Sequence, residues 1–418
     1  MKQTLKSFCL MLLVLLCFNY VQAYAEAAAP PEINAEGSAL IDVSTGEILF
    51  DKNCEKQFEP ASTTKVMTAL VVLDQCDLNE EVTVTADFTS IDGTAIGLLN
   101  GDVLTVRDLL LGLLLESGND CANALAIHVS GSIEAFSALM NEKAKDLGAT
   151  NTNFKNPSGL PDPEHLTTPH DLALIMGAAI KNKDFMEIST TGMYSITLKN
   201  DSSRTITTNN KNYLINKNSK HYYPYTISGK NGYTTKANHT YVAAAEKDGH
   251  TLVAAFLNAV DKNKNFDDMK TVFDYGFNNF ELVTLYKQGE EIAQYDINDK
   301  LTIPLTATED INYLAPIGDS SSVTPELKII DDDLSKKSFI TGENILKGIV
   351  YVNGHEFKTI NLASGVTREY IPPIKNFVTK SPYTIPSVFA GCIMGIALII
   401  FVNSRKSHKK PRFKHLKR

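Results

Sequence analysis

The apolar positions of this chain change rhythm several times, and each change predicts an element. From Ser38 to Phe50 two apolar runs flank Asp42-Val43-Ser44-Thr45-Gly46, the pattern of a β-hairpin with a glycine-bearing turn. Beyond Pro60-Ala61 the run Val66, Met67, Ala69, Leu70, Val71 predicts a helix opening at Ser62. Glu80 to Leu104 is rich in Thr, Val and Gly and reads as short strands and turns, with a turn signal at Asn100-Gly101-Asp102. Thr105-Val106-Arg107-Asp108 is a capping box for a helix through Leu115. A new apolar run begins at Cys121, which leaves Ser117-Gly118-Asn119 on a tight turn between two helices. Ala135 to Leu147 is an amphipathic helix stopped by Gly148. Thr168 as N-cap, Pro169 at the first helical position and Asp171 open another, along Leu172, Ile175, Met176, Ala179 and Ile180. Residues 194–208 alternate as strands. The runs 241–246 and 251–257 predict two adjacent antiparallel strands, with Lys230-Asn231-Gly232 on the first or just before it. From Glu281 to Pro372 short alternating runs and an Asn353-Gly354 hairpin turn predict a small all-β domain, in which Asp331-Asp332-Asp333 is a solvated turn.

Two stretches are rich in apolar residues and hold no charge. Phe8 to Phe18 follows Lys2 and Lys6 and precedes Ala23-Tyr24-Ala25, the layout of a secretory signal peptide over 1–25. Residues 383–402 hold no charge and match the ~20 residues that span a bilayer. The basic run of 403–418 then predicts a cytoplasmic tail behind a C-terminal transmembrane helix. The expected layout is a large mixed domain over 26–280 and a small β domain over 281–378. Both face the extracytoplasmic side of the cell membrane on a single span. Neither basic end holds an acid, so the region between them is more acidic than the net charge of −8 states, which argues against nucleic acid as a partner. Cys9 and Cys17 fall in the signal peptide and Cys392 in the span. Cys54, Cys76 and Cys121 remain, an odd number without metal-ligand spacing. No disulfide framework and no metal site are predicted, and one Cys54–Cys76 pair stays open.

Three short motifs carry the chemistry. Ser62 and Lys65 stand three apart at a helix start, on one face, where the amine reaches the hydroxyl. A serine hydroxyl needs such a base, and a lysine serves as one when burial or a second cation lowers its pKa. Ser117 and Asn119, two apart on a turn, can point a hydroxyl and an amide into one cleft. Lys230-Asn231-Gly232 puts a cation beside a glycine at which a ligand can approach the backbone.

Ser-x-x-Lys, Ser-x-Asn and Lys-x-Gly in this order are the set of penicillin-binding proteins and class A β-lactamases. The chain resembles the low-molecular-weight penicillin-binding proteins, the serine-type D-alanyl-D-alanine carboxypeptidases of peptidase family S11. The resemblance runs from about Ser38 through Phe280 and includes residues 60–68, 115–120, 156–160 and 274–277. It implies an α/β fold of the penicillin-binding-protein/serine β-lactamase kind: an antiparallel sheet flanked by helices, with a helical subdomain. The β-rich segment and membrane anchor also look like the family. It implies that Ser62 attacks the carbonyl between the two terminal D-alanines and that Lys65 takes its proton. Ser117 relays a proton to the departing D-alanine. Asn119 holds the substrate amide. Lys230 and Asn231 hold the terminal carboxylate beside Gly232, and the N–H groups of Ser62 and Tyr233 form the oxyanion hole. The implied partners are a peptidoglycan stem peptide, β-lactam antibiotics and the membrane, with no cofactor. Asn231 departs from the family's threonine or serine. It opens one alternative, a β-lactam-acylatable protein with weak peptide turnover, and a related D,D-endopeptidase is another. A β-lactamase would need a deacylating glutamate, for which Glu164 is the candidate, although its surroundings read as an ordinary carboxypeptidase loop.

Overall fold

The computed structural model describes residues 29–371 and the single residue Leu398. The expected signal peptide lies outside the described residues, as do the membrane span (Leu398 apart) and the basic tail. No helix among the described residues is long and apolar enough to cross a membrane. The chain forms two compact units. The larger holds the residues up to 290 with 307–328 and 348–360, and the smaller holds 291–306, 329–347 and the residues from 361 on.

In the larger unit, β1 (Ala35–Asp42) and β2 (Ile48–Lys52) form the expected hairpin. Asp42 Oδ1 ties its turn by accepting from the N–H groups of Ser44 and Thr45. Residues Ala61–Thr64 make one 3₁₀ turn that runs into α1 (Lys65–Gln75). The helix expected to open at Ser62 therefore starts as α-helix only at Lys65. Thr63 N–H donates to Pro60 O and Lys65 N–H to Ser62 O, bonds across three residues that wind the chain more tightly than an α-turn. Residues 65–72 of α1 are all buried, and apart from Lys65 and Thr68, whose polar atoms are hydrogen-bonded, this stretch is apolar on every face.

A small pair, β3 (Glu81–Thr83) and β4 (Val103–Thr105), leads into α2 (Val106–Leu111), whose capping box from Thr105 and Asp108 is present in both directions. A π-helical turn (Gly112–Glu116) follows. Then come α3 (Asn119–Ser130), α4 (Ile133–Asp146), α5 (Pro169–Ala179) with Thr168 as its cap, and α6 (Lys183–Thr190). A second hairpin, β5 (Met193–Thr197) and β6 (Thr205–Asn209), precedes β7 (Thr226–Thr234), β8 (Asn238–Lys247), β9 (His250–Ala259) and α7 (Lys262–Asn279).

The main sheet is antiparallel in the order β2-β1-β9-β8-β7. Two strands were expected from Tyr241 on, but Lys230-Asn231-Gly232 occupies a third strand of its own, β7, at the sheet edge. The central strands alternate with period two and bury both faces. Val242, Ala244, Val253 and Ala255 pack on the helical side, while Tyr241, Ala243, Leu252 and Phe256 pack toward Phe266, Met269 and Phe273 of α7.

From Phe280 to Ser364 all regular structure is strand, apart from one 3₁₀ turn, Ser320–Ser322. In the larger unit β10 (Phe280–Tyr286) pairs with β13 (Ile311–Pro316), and in the smaller β11 (Glu291–Asn298) pairs with β12 (Leu301–Ala307). Three further strands follow, β14 (Pro325–Ile330), β15 (Asn344–Val352) and β16 (His355–Ser364). The triple aspartate is an exposed turn, with Asp332 paired to Lys337 at 2.6 Å and Asp333 accepting from Ser335 N–H.

Candidate active site

Ser62 sits half-buried on the 3₁₀ turn, at the head of the buried helix α1. One helical turn on, Lys65 is fully buried, and its Nζ lies 2.9 Å from Ser62 Oγ, 2.7 Å from Asn119 Oδ1 and 2.6 Å from Ser158 O. Burial holds this lysine well below its usual range, and the positive charge of Lys230 adds to that. As an ammonium, Lys65 donates to all three oxygens. As a neutral amine it has two N–H groups and one lone pair. Asn119 and Ser158 offer only acceptors and take the two N–H groups, so the lone pair is left for the hydroxyl proton of Ser62. Deprotonating Lys65 thus aims a base at the serine without moving an atom.

The second motif comes from the break between α2 and α3. Ser117 ends the π-helical turn in a left-handed conformation (φ +68°), and Asn119 begins α3. Asn119 Oδ1 accepts from Lys65, and its Nδ2 donates to Asp92 O at 2.6 Å, which leaves one amide hydrogen toward the groove. The third motif lies on edge strand β7. Lys230 Nζ reaches Ser117 Oγ at 3.1 Å and Asn231 O at 2.7 Å, and burial pushes its pKa down to about 7. A β-carbon on Gly232 would lie 2.7 Å from the backbone nitrogen of Ser62, so only glycine lets this strand pass the nucleophile. Tyr233, Thr234 and Thr235 continue along the wall of a groove of about 350 Å³ that also holds Ser62, Asn119 and Ser158.

Strand alternation puts Asn231 on the face opposite Lys230. It lines a second cavity of about 200 Å³, with Tyr233, which also borders the groove, and with His239, Lys262, Asn265 and Phe266, on the α7 side of the sheet. Asn231→Thr is therefore expected to change D-alanine release by no more than about twofold, the ~0.5 kcal/mol typical of a substitution away from reacting groups. A tenfold rise in the rate of release would show that Asn231 does reach the substrate.

Several residues that build the site had no role assigned from sequence. Ser158 contributes its carbonyl, aimed at Lys65 because Asn156 Oδ1 accepts from the N–H groups of Ser158, Gly159 and Leu160. Gly159 has φ +83°, and a β-carbon there would collide with Ala61 O. Asp120 is fully buried and accepts from the N–H groups of Ile96, Gly97 and Leu98, fixing the loop that carries Gly93 and Thr94 along the groove. His165 is buried. Its Nδ1 accepts from Lys155 N–H, so Nε2 carries the proton and donates to Thr64 Oγ1 at 2.9 Å, and burial drops its pKa to about 4. The signal available in sequence was the Asn-Pro-Ser-Gly turn chemistry at 156–159, which marks a loop but not what it faces. Glu164, by contrast, is 72% exposed, is paired with Lys155 at 3.0 Å and is not among the residues that line the Ser62 groove.

A family model described as D-alanyl-D-alanine carboxypeptidase (peptidase S11) matches residues 24–261, more than half of the chain. The chain belongs to that family. It is accordingly a serine hydrolase, and the match spans all three motifs. The model of the penicillin-binding protein 5 C-terminal domain matches residues 280–370, the β-rich region of this carboxypeptidase family member. Among its relatives, the D-alanyl-D-alanine carboxypeptidase DacF of Bacillus subtilis is 31% identical over 71% of this chain and 77% of its own length. The solved structure of penicillin-binding protein 5 from Haemophilus influenzae covers 81% of this chain and 99% of its own, at 27% identity and a TM-score of 0.69. That of a D-alanyl-D-alanine carboxypeptidase from Mycobacterium tuberculosis covers 60% and 94%, at 36% identity and a TM-score of 0.55.

Proposed function

We propose that this member of the family removes the terminal D-alanine from peptidoglycan stem pentapeptides through an acyl-enzyme on Ser62, and that β-lactams acylate the same oxygen. The observation that carries the reading is the buried, hydroxyl-facing amine of Lys65, with its other two contacts to acceptors alone. Ser62 Oγ adds to the carbonyl of the penultimate D-alanine while its proton passes to Lys65 Nζ. The backbone N–H groups of Ser62 and Tyr233 hold the oxyanion. Losing one such donor costs on the order of 3 kcal/mol. Collapse breaks the C–N bond, and the departing amine takes, through Ser117, the proton that Lys65 accepted, which leaves Lys65 neutral again. Lys65 then deprotonates a water molecule that attacks the ester, which frees Ser62 and the shortened peptide. Lys230 holds the terminal carboxylate, and the free hydrogen of Asn119 Nδ2 holds a substrate carbonyl. The placement of Asn231 away from the groove favours this reading over an acylatable protein with blunted turnover. The sequence pattern at 1–25 and 383–418 supports a catalytic region outside the cytoplasmic membrane, carried on one C-terminal span.

The test is D-alanine release from diacetyl-Lys-D-Ala-D-Ala by the full chain across pH. Lys65 works unprotonated, so the rate rises as pH climbs through its lowered pKa. Lys230 works protonated, so kcat/KM falls as pH climbs through about 7. A bound carboxylate favours the ammonium of Lys230, which moves the alkaline limb of kcat above that of kcat/KM. No release at any pH, with penicillin still labelling Ser62, would overturn the carboxypeptidase reading. A kcat/KM that climbs without a fall through about pH 9 would remove Lys230 from carboxylate binding.

A further inference from the structure

Helices α1 and α3 both begin at the active site, with Lys65 and Asn119, and both lead away from it to one place. Cys76 is the C-cap of α1, its N–H on Val72 O at 3.0 Å. His128 stands in the last turn of α3. Glu80 lies in the short connection between α1 and β3. One donor atom from each of the three, a thiol sulfur, a carboxylate oxygen and a ring nitrogen, lie within 4.8 Å of one another. His128 Nε2 is 2.9 Å from Glu80 Oε1. At ~1.5 Å per residue, the length of α1 separates this cluster from Lys65 by roughly 16 Å, so the reaction at Ser62 does not use it.

The connection that carries Glu80 is set by its own backbone. Asp77 O accepts from Glu80 N–H at 3.1 Å, and Asp77 Oδ1 accepts from Asn79 N–H at 2.8 Å. From the other side, Val106 N–H donates to Glu80 O and Arg107 N–H to Leu78 O. Cys76 and His128 are half-buried, while Glu80 is at the exposed rim. The cluster is thus a trio held by the backbone, with Glu80 on its exposed side.

We propose that Cys76, Glu80 and His128 bind one zinc ion, with water in the fourth position. Thiolate, imidazole and carboxylate together are zinc's ligands, with bonds of ~2.0–2.3 Å in a tetrahedron. Calcium and magnesium take oxygen ligands and are disfavoured by the sulfur. Donor atoms within 4.8 Å of one another are near the ~3–4 Å edges of such a tetrahedron. The ion replaces the His128–Glu80 hydrogen bond and ties together the far ends of the two helices whose near ends hold Lys65 and Asn119. Because the trio exists only in the folded chain, binding stabilises the fold and not the chemical step.

Full-length protein, stripped of metal with a chelator, is titrated with Co²⁺ and then Zn²⁺. The expected result is one equivalent bound, a near-ultraviolet thiolate-to-cobalt band that Zn²⁺ displaces, and a higher Tm with Zn²⁺. Cys76→Ser and His128→Ala should each lose the band and weaken binding by about tenfold or more, and Cys54→Ser should keep both. Should Cys76→Ser fold poorly, alkylation of Cys76 in the parent provides the second readout: Zn²⁺ slows it, and His128→Ala abolishes that protection. No one-to-one binding, a band that survives Cys76→Ser, or alkylation of Cys76 indifferent to Zn²⁺ overturns the site.

Discussion

A Ser62→Ala protein is expected to release D-alanine on the order of 10⁵-fold more slowly than the parent and to take no covalent label from penicillin. The size follows from what the oxygen does: without it there is no acyl-enzyme, and only binding and the oxyanion donors remain. The fold should be indifferent. Ser62 is half-exposed and its Oγ is hydrogen-bonded to Lys65 Nζ, which keeps its bonds to Asn119 and Ser158 in the variant. Thermal melts of parent and variant should therefore nearly coincide while activity vanishes. Release that persists in Ser62→Ala would sink the assignment of the nucleophile.

Lys65→Met separates the base from the nucleophile. Methionine is unbranched, of similar length and neutral, so it fills the buried slot without a charge. Acylation by penicillin and peptide release should both fall, by about 10²–10⁴-fold, the usual contribution of a positioned base. Stability has two opposing parts. Asn119 Oδ1 and Ser158 O lose a buried donor, at about 1–3 kcal/mol each, and the desolvation of a buried amine is relieved. The variant should fold, with its residual acylation no longer rising along the acid limb of the pH profile. Acylation within tenfold of the parent would show that another group deprotonates Ser62.

The stretches that could be read from the chain are those whose bonds close over a few residues. Thr105 and Asp108 cap α2, and Thr168, Pro169 and Asp171 start α5, as their spacing requires, because each bond spans three residues. The Asp42–Gly46 turn is of the same kind. The 3₁₀ turn at Ser62 escaped because helical spacing does not report winding. The separate strand at Lys230 escaped because β7, as an edge strand, varies between buried and exposed positions instead of alternating cleanly.

By itself, then, the sequence determined the starts of α2 and α5, the Asp42–Gly46 hairpin turn, the order of three motifs and through them the family. It could also place Lys65 one turn from Ser62. What makes that lysine a base was decided only in three dimensions. Its contact with Asn119 spans 54 residues and that with Ser158 spans 93, while Lys230 meets Ser117 across 113. The same holds for Asp120 under the groove loop, for His165 behind Thr64, and for Cys76, Glu80 and His128, whose spacing along the chain suggests no metal. Burial and long-range pairing are properties of packed helices and a sheet edge. They set the local dielectric and the neighbouring charges, and these, not residue type, set which proton a lysine holds.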